Sequence, residues 1–317
     1  QSITLDDVKA HWARVFTQDR AVLGLAGAVD RALEARMKKR FSALPLQGAP
    51  IVELPPAAPV HNRTLILKKE ALSTAVSLGY VYGLRRGDHD FFPVAVALSY
   101  LGEHRQQSGV LFRELRERRG LNYGDYAYPE HFHQEGWGTI PQTNVVRRQQ
   151  DLSLWIRPVE PRNAVFATRA ALYFFDQLAQ NGLDPKQFEV TRGFLQGYTR
   201  LWEQTDQRRL GYAIDALFYG TPNFLESYRQ ALSTMTPEQV QQAAQRHLRV
   251  RRFNQVYVAQ DAEGLAEKLK SGAPSPIQYP TPKDPSVLQL DPTLAQVPLP
   301  VDPAKVQILD AQTFMER

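Results

Sequence analysis

The chain has 317 residues, 43% hydrophobic and 22% charged, with a net charge of +5, an ordinary globular composition with enough apolar surface for a sizeable core. Acidic and basic residues are interspersed, which argues against a nucleic-acid-binding arm. Cysteine is absent, which excludes a disulfide framework, a thiolate nucleophile and a cysteine–zinc site and fits an oxidising compartment. No apolar run approaches the ~18–20 residues of a membrane span.

In chain order, Thr4 predicts a cap ahead of "LDDVKAHWARVF", with Asp6 and Asp7 in a first turn where the helix dipole favours acids. Val8, Trp12, Val15 and Phe16 recur at helical spacing. "AVLGLAG" (21–27) reads as a short buried-type strand and "DRALEARMKKRFSALP" (30–45) as a basic-ended helix. Prolines at 50, 55, 56 and 59 make 46–62 an extended, exposed linker. "TLILKKEALSTAVSLGYVYGL" (64–84) reads as two strands separated by charge. A helix starts near Asp90 with Pro93 in its first turn. "SGVLFRELRERRG" (108–120) is a helix carrying four arginines, and 121–138 and 151–159 read as strands. Helices follow over 161–181, 185–205 and 207–219, with shorter ones near 222–233 and 237–248. Nine prolines from Pro274 to Pro303 predict an ordered extended tail wrapped on a surface, or a linker. "VQILDAQTF" (306–314) reads as a late strand or docking segment.

A shift of 232 residues lays Thr4 on Thr236, Val8 on Val240, Arg14 on Arg246 and Phe16 on Leu248. It also lays "RAVLGLAG" (20–27) on "RFNQVYVA" (252–259). Both copies read cap, acidic-start helix, strand, helix, an order that argues for an internal repeat. On that reading, residues 1–45 are the tail of a domain whose front lies ahead of Gln1.

The arginine helix is the chemical feature. Gly120 suits the left-handed backbone that ends a helix. Arg113, Arg118 and Arg119 read as solvated charges, the last two complementing the dipole. Arg116 is a candidate for binding, because a guanidinium keeps its charge and donates to several acceptors such as peptide carbonyls. Tyr123, just past the turn, adds a neutral phenol donor. In "EHFHQE" (130–135), His131, His133 and Glu135 would share one strand face, two imidazoles and a carboxylate of the kind that binds zinc. Surface strands often carry such residues, and no metal ligand is assigned there.

"LFRELRERRGLNYG", after "SLGYVYGLRRGDHDFFPVAVALSYLG" and "LDDVKAHWARVFTQDRAVLGLAGAVD", resembles the pitrilysin-like zinc metallopeptidases. These are inverzincins of the insulinase superfamily, including pitrilysin, insulin-degrading enzyme and the mitochondrial processing peptidase. The resemblance covers residues 1–260 and is sharpest at 111–124; Asn122 and Gly124 depart from the usual Ala and Ser. It implies an α+β fold, a mixed or antiparallel sheet with helices packed on one face, duplicated, with the first copy truncated here. The parts would be a trailing helix–strand–helix (1–45), a Pro-rich linker (46–62), a complete second domain without a zinc motif (63–270) and a Pro-rich extension (271–317).

The resemblance also implies zinc in the complete enzyme, held by an inverted His-x-x-Glu-His motif and a distant glutamate. That motif is absent from these 317 residues, so the chain is expected to supply no catalytic residue and no metal ligand and to be inactive alone. Arg116 and Tyr123 would hold an unfolded peptide against zinc carried by upstream sequence or by a partner subunit. The alternative is a non-catalytic scaffold or assembly subunit. Expected partners are a peptide substrate and a zinc-bearing domain or subunit, with a dimer among the assemblies allowed, no nucleic acid and no membrane span. The expected compartment is the bacterial periplasm or the exterior, ahead of a mitochondrial matrix.

Overall fold

The computed structural model describes residues 2–50, 54–103, 107–132 and 140–315. The main body begins with two strands, β1 (Thr64–Lys68) and β2 (Thr74–Tyr82). In β2 the alternation is strict: Thr74, Val76, Leu78, Tyr80 and Tyr82 are buried, and the residues between them are not. That is the period-two pattern of a strand covered on one face. The apolar helix α3 (Phe91–Leu101) follows, then a π-helical turn (Phe112–Glu117), β3 (Asn122–Tyr128) and β4 (Gln150–Val159). Five helices come next: α4 (Ala164–Asn181), α5 (Pro185–Tyr198), α6 (Asp206–Tyr219), α7 (Phe224–Thr234) and α8 (Pro237–His247). The chain returns to the sheet as β5 (Asn254–Ala259) and then forms α9 (Ala262–Ser271).

The sheet order is β3-β4-β2-β5-β1-β6, where β6 is Val306–Asp310. Pairing is antiparallel from β3 through β5 and parallel for β5–β1 and β1–β6. Ile66, Leu78, Leu154, Ile156 and Tyr257 form the buried side of the sheet, and α3, α4 and α8 pack into the same core. Asp90 clamps the start of α3 to the end of α8, accepting from Arg246 Nε at 2.7 Å and lying 2.8 Å from His247 Nε2.

The extension is ordered on this body. It contains α10 (Pro285–Leu294), the edge strand β6 and α11 (Ala311–Met315). Arg169 of α4, itself buried, donates to the carbonyls of Gly272 (3.1 Å), Ala273 (2.9 Å) and Ala295. One long side chain thereby satisfies three backbone acceptors of a proline-rich path, where backbone partners are scarce.

The first segment is different. α1 (Leu5–Val15) has the capping box expected at Thr4, closed by Asp7, and α2 (Arg31–Phe41) is capped by Asp30. Neither helix buries a residue, and Val8, Trp12 and Phe16 stand half-exposed along α1. Their counterparts under the 232-residue shift, Val240, Ala244 and Leu248, are buried in the main core. Residues 21–26 form no strand, contrary to the sequence expectation. β5 exists because β1 and β2 flank it, whereas no described strand lies beside 21–26, and backbone groups without a ladder do not make a sheet. Instead Gly24 lies against Leu210 and Ile214 of α6, where an added Cβ would come within 2.8 Å of Leu210 Cδ1.

Candidate functional site

From Phe112 to Glu117 the chain is π-helical. The Arg118 N–H donates to the Arg113 carbonyl at 3.0 Å, and the Leu121 N–H to that of Leu115 at 3.0 Å. Such widened turns re-aim the side chains they carry and are frequent at functional positions. Gly120, at φ +67°, ends the turn and delivers the chain into β3.

Glu114 is the hub of three of the four arginines. It accepts from Arg113 Nε at 3.2 Å, Arg118 Nη1 at 3.0 Å and Arg119 Nη1 at 3.1 Å. Burial pushes its carboxyl up, but the three guanidiniums outweigh this and hold it below its ordinary value. Arg119 is buried and also donates to Asp291 of α10 at 2.9 Å, and Arg118 reaches Ser286. The reading of these charges as solvated therefore fails outright for Arg119. Its second acid arrives from 172 residues along the chain, beyond any local pattern.

Arg116 is engaged elsewhere. Its guanidinium carbon lies 4.5 Å from the Tyr123 ring centroid and 4.7 Å from that of Phe112. Its Nη1 donates to the Tyr123 carbonyl at 3.2 Å. The two site residues named from the sequence are thus brought into contact at the start of β3, with Tyr123 60% exposed. β3 pairs only with β4 among the described residues, so this cation–phenol pair marks the beginning of a sheet edge. Stacking on both rings pre-orients the guanidinium plane. Gly124 fits here because a Cβ would come 2.7 Å from the Tyr126 hydroxyl.

Asp125 was not singled out in the sequence. It is buried two residues beyond Tyr123, held by the Asn122 side-chain amide. Its Oδ2 and the Asn122 Oδ1 have no hydrogen-bond partner among the described residues. Burial pushes its pKa up to about 7, against the opposing pull of Asn122 and Arg116. The available signal was one carboxylate inside the otherwise uncharged "NYGDYAY" strand.

A second polar centre lies deeper. Arg86 is buried between Glu130 (2.6 Å) and Asp215 (3.0 Å), with the Phe224 ring 4.8 Å from its guanidinium carbon. Glu130 is therefore committed to a structural pair, and His131 lies 3.5 Å from Asp151. His133 and Glu135 lie outside the described residues. Among the described residues no three His, Cys, Asp or Glu side chains are grouped to hold a metal ion. Zinc has no fitted donor set among them.

Comparison with known proteins agrees with the fold. The family model described as "Peptidase M16 inactive domain" matches residues 2–195. The chain is 25% identical over 237 residues to an uncharacterized zinc protease, YmxG, of Bacillus subtilis, covering 74% of this chain and 53% of that protein. A peptidase M16 inactive domain from Pseudomonas fluorescens has the same fold, with TM-score 0.68, 21% identity and coverage of 81% of this chain and 57% of that one. The first half of the periplasmic protease PqqL from Escherichia coli superposes with TM-score 0.61 and 15% identity, covering 95% of this chain and 61% of that one. The chain spans about half the length of the curated relatives it matches. With a family match over more than half its length, the chain belongs to the peptidase M16 inactive-domain family.

Proposed function

We propose that this chain is the substrate-binding, non-zinc part of a zinc-dependent metalloendopeptidase acting on unfolded peptides. The observation that carries the reading is the contact of Arg116 with the exposed Tyr123 at the start of the edge strand β3, while the other three arginines are paired to structural acids. An extended peptide added alongside β3 would present its carbonyls to the Arg116 guanidinium and the Tyr123 hydroxyl. The zinc and its activated water would come from a facing domain or subunit, and the chain alone would bind peptide weakly and cleave nothing.

Residues 1–45 would be the end of that preceding domain. The exposed apolar stripe of α1, repeating positions that α8 buries, supports this. A periplasmic setting is proposed from the lack of cysteine and the fold shared with PqqL; no described helix is long and apolar enough to cross a membrane.

The test combines the full chain with a zinc-bearing half of this family and assays a fluorogenic peptide with and without chelator. Chelator-sensitive cleavage is expected, reduced about a hundredfold in kcat/KM when Arg116→Ala and Tyr123→Phe are combined, the scale seen on removing an oxyanion donor. Restored cleavage that survives the double substitution would remove the site assignment. Stable assembly without cleavage would favour the scaffold subunit.

A further inference from the structure

Arg119 has no exposed side-chain surface, and the acids it meets are Glu114, on its own turn, and Asp291, on the extension. Glu114 already serves Arg113 and Arg118. Asp291 is therefore the acid that lets the Arg119 guanidinium be fully buried at this turn, while Arg113 and Arg118 stay partly exposed. It is well placed to be rigid. Its other oxygen accepts from the Tyr279 hydroxyl at 2.7 Å, its carbonyl accepts from the Ala295 N–H at 2.8 Å, and Arg169 pins the two ends of the segment.

Arg119 immediately precedes Gly120, and its Nη1 also donates to the Glu114 carbonyl at 2.8 Å. That carbonyl is drawn to a side chain within the stretch where the backbone follows π-helical bonding. A return to α-helical bonding would rotate the following side chains by up to one residue's turn, about 100°. Arg116 would then leave the Tyr123 ring.

We propose that the C-terminal extension positions the Arg116–Tyr123 site: Asp291, acting through Arg119, holds the turn in the form that stacks Arg116 on Tyr123. Asp291 and Arg119 are positioning residues that need not touch the peptide. The inference rests on the peptide-binding reading above.

The test measures binding of a fluorescein-labelled unstructured peptide, of mixed apolar and basic composition, to the full chain by fluorescence polarisation. The variants are Asp291→Asn, Arg116→Ala and the two combined, each checked by thermal melting to be folded at the assay temperature. Asp291→Asn is expected to weaken binding about three- to tenfold, the usual scale for a residue coupled to a site it does not contact. In the Arg116→Ala background it should have no further effect, whereas general destabilisation would persist there. Unchanged affinity in Asp291→Asn, or losses that simply add, would overturn the inference while leaving the peptide-binding reading standing. If Arg116→Ala itself leaves binding unchanged, that reading fails first and this inference with it. Should Asp291→Asn not fold, Tyr279→Phe loosens Asp291 without breaking its pair with Arg119; it is then expected to weaken binding measurably, again only when Arg116 is present.

Discussion

Replacing Asp125 with asparagine should stabilise the protein, and the gain should grow with pH. In the folded chain, burial lifts this carboxyl from an ordinary 3.8 to about 7. Between those values the unfolded chain releases a proton that the folded chain retains. Stability therefore falls as pH rises from about 4 to about 7, then levels off. At about 1.4 kcal/mol per pH unit, the accumulated loss is on the order of 4 kcal/mol. The amide introduced by Asp125→Asn carries no charge to bury. Its carbonyl can still accept from the Asn122 amide, and its NH2 group would sit where Asp125 Oδ2 and Asn122 Oδ1 are unpartnered. Urea denaturation of both proteins, followed by circular dichroism from pH 4 to pH 8, isolates the effect, because every other titrating group is common to both. The variant should be nearly equal to the parent at pH 4 and more stable by a few kcal/mol at pH 8. A difference that is flat across this range, or a variant weaker than the parent at pH 8, would refute the reasoning.

Arg86→Met should cost about 3–5 kcal/mol at pH 8, because it leaves Glu130 and Asp215 buried without their cation. The loss should shrink as pH falls, because burial already holds the Asp215 carboxyl above its ordinary value, and a denaturation midpoint unchanged at pH 8 would contradict the reasoning. Val8→Lys with Trp12→Lys should leave the chain's own stability within about 0.5 kcal/mol, as for exposed positions generally. The same pair should abolish co-purification with a zinc-bearing half, so retained association would argue against residues 1–45 being part of a preceding domain.

The main body was legible because its elements carry strong local patterns. β2 alternates, α3 is apolar but for Ser99 and the Tyr100 hydroxyl, and α8 opens on a Thr236 cap with Gln239 three residues on. The pairing of Arg116 with Tyr123 came from a resemblance, since spacing alone cannot say that a turn will fold one onto the other. The strand expected at 21–27 shows the limit: its apolar residues suit a strand, but a strand exists only beside another. The fate of the other arginines, and of Asp125, depended on burial by residues distant in sequence.

By itself, then, the sequence determined the order of helices and strands in the main body, because periodicity, caps and turn residues act over a few positions. Only the tertiary structure decided that the extension adds β6 to the sheet, that Asp291 neutralises Arg119, and that Arg116 alone of the four arginines lies stacked on Tyr123. Those outcomes depend on which charges become buried together, and burial is a property of the assembled fold.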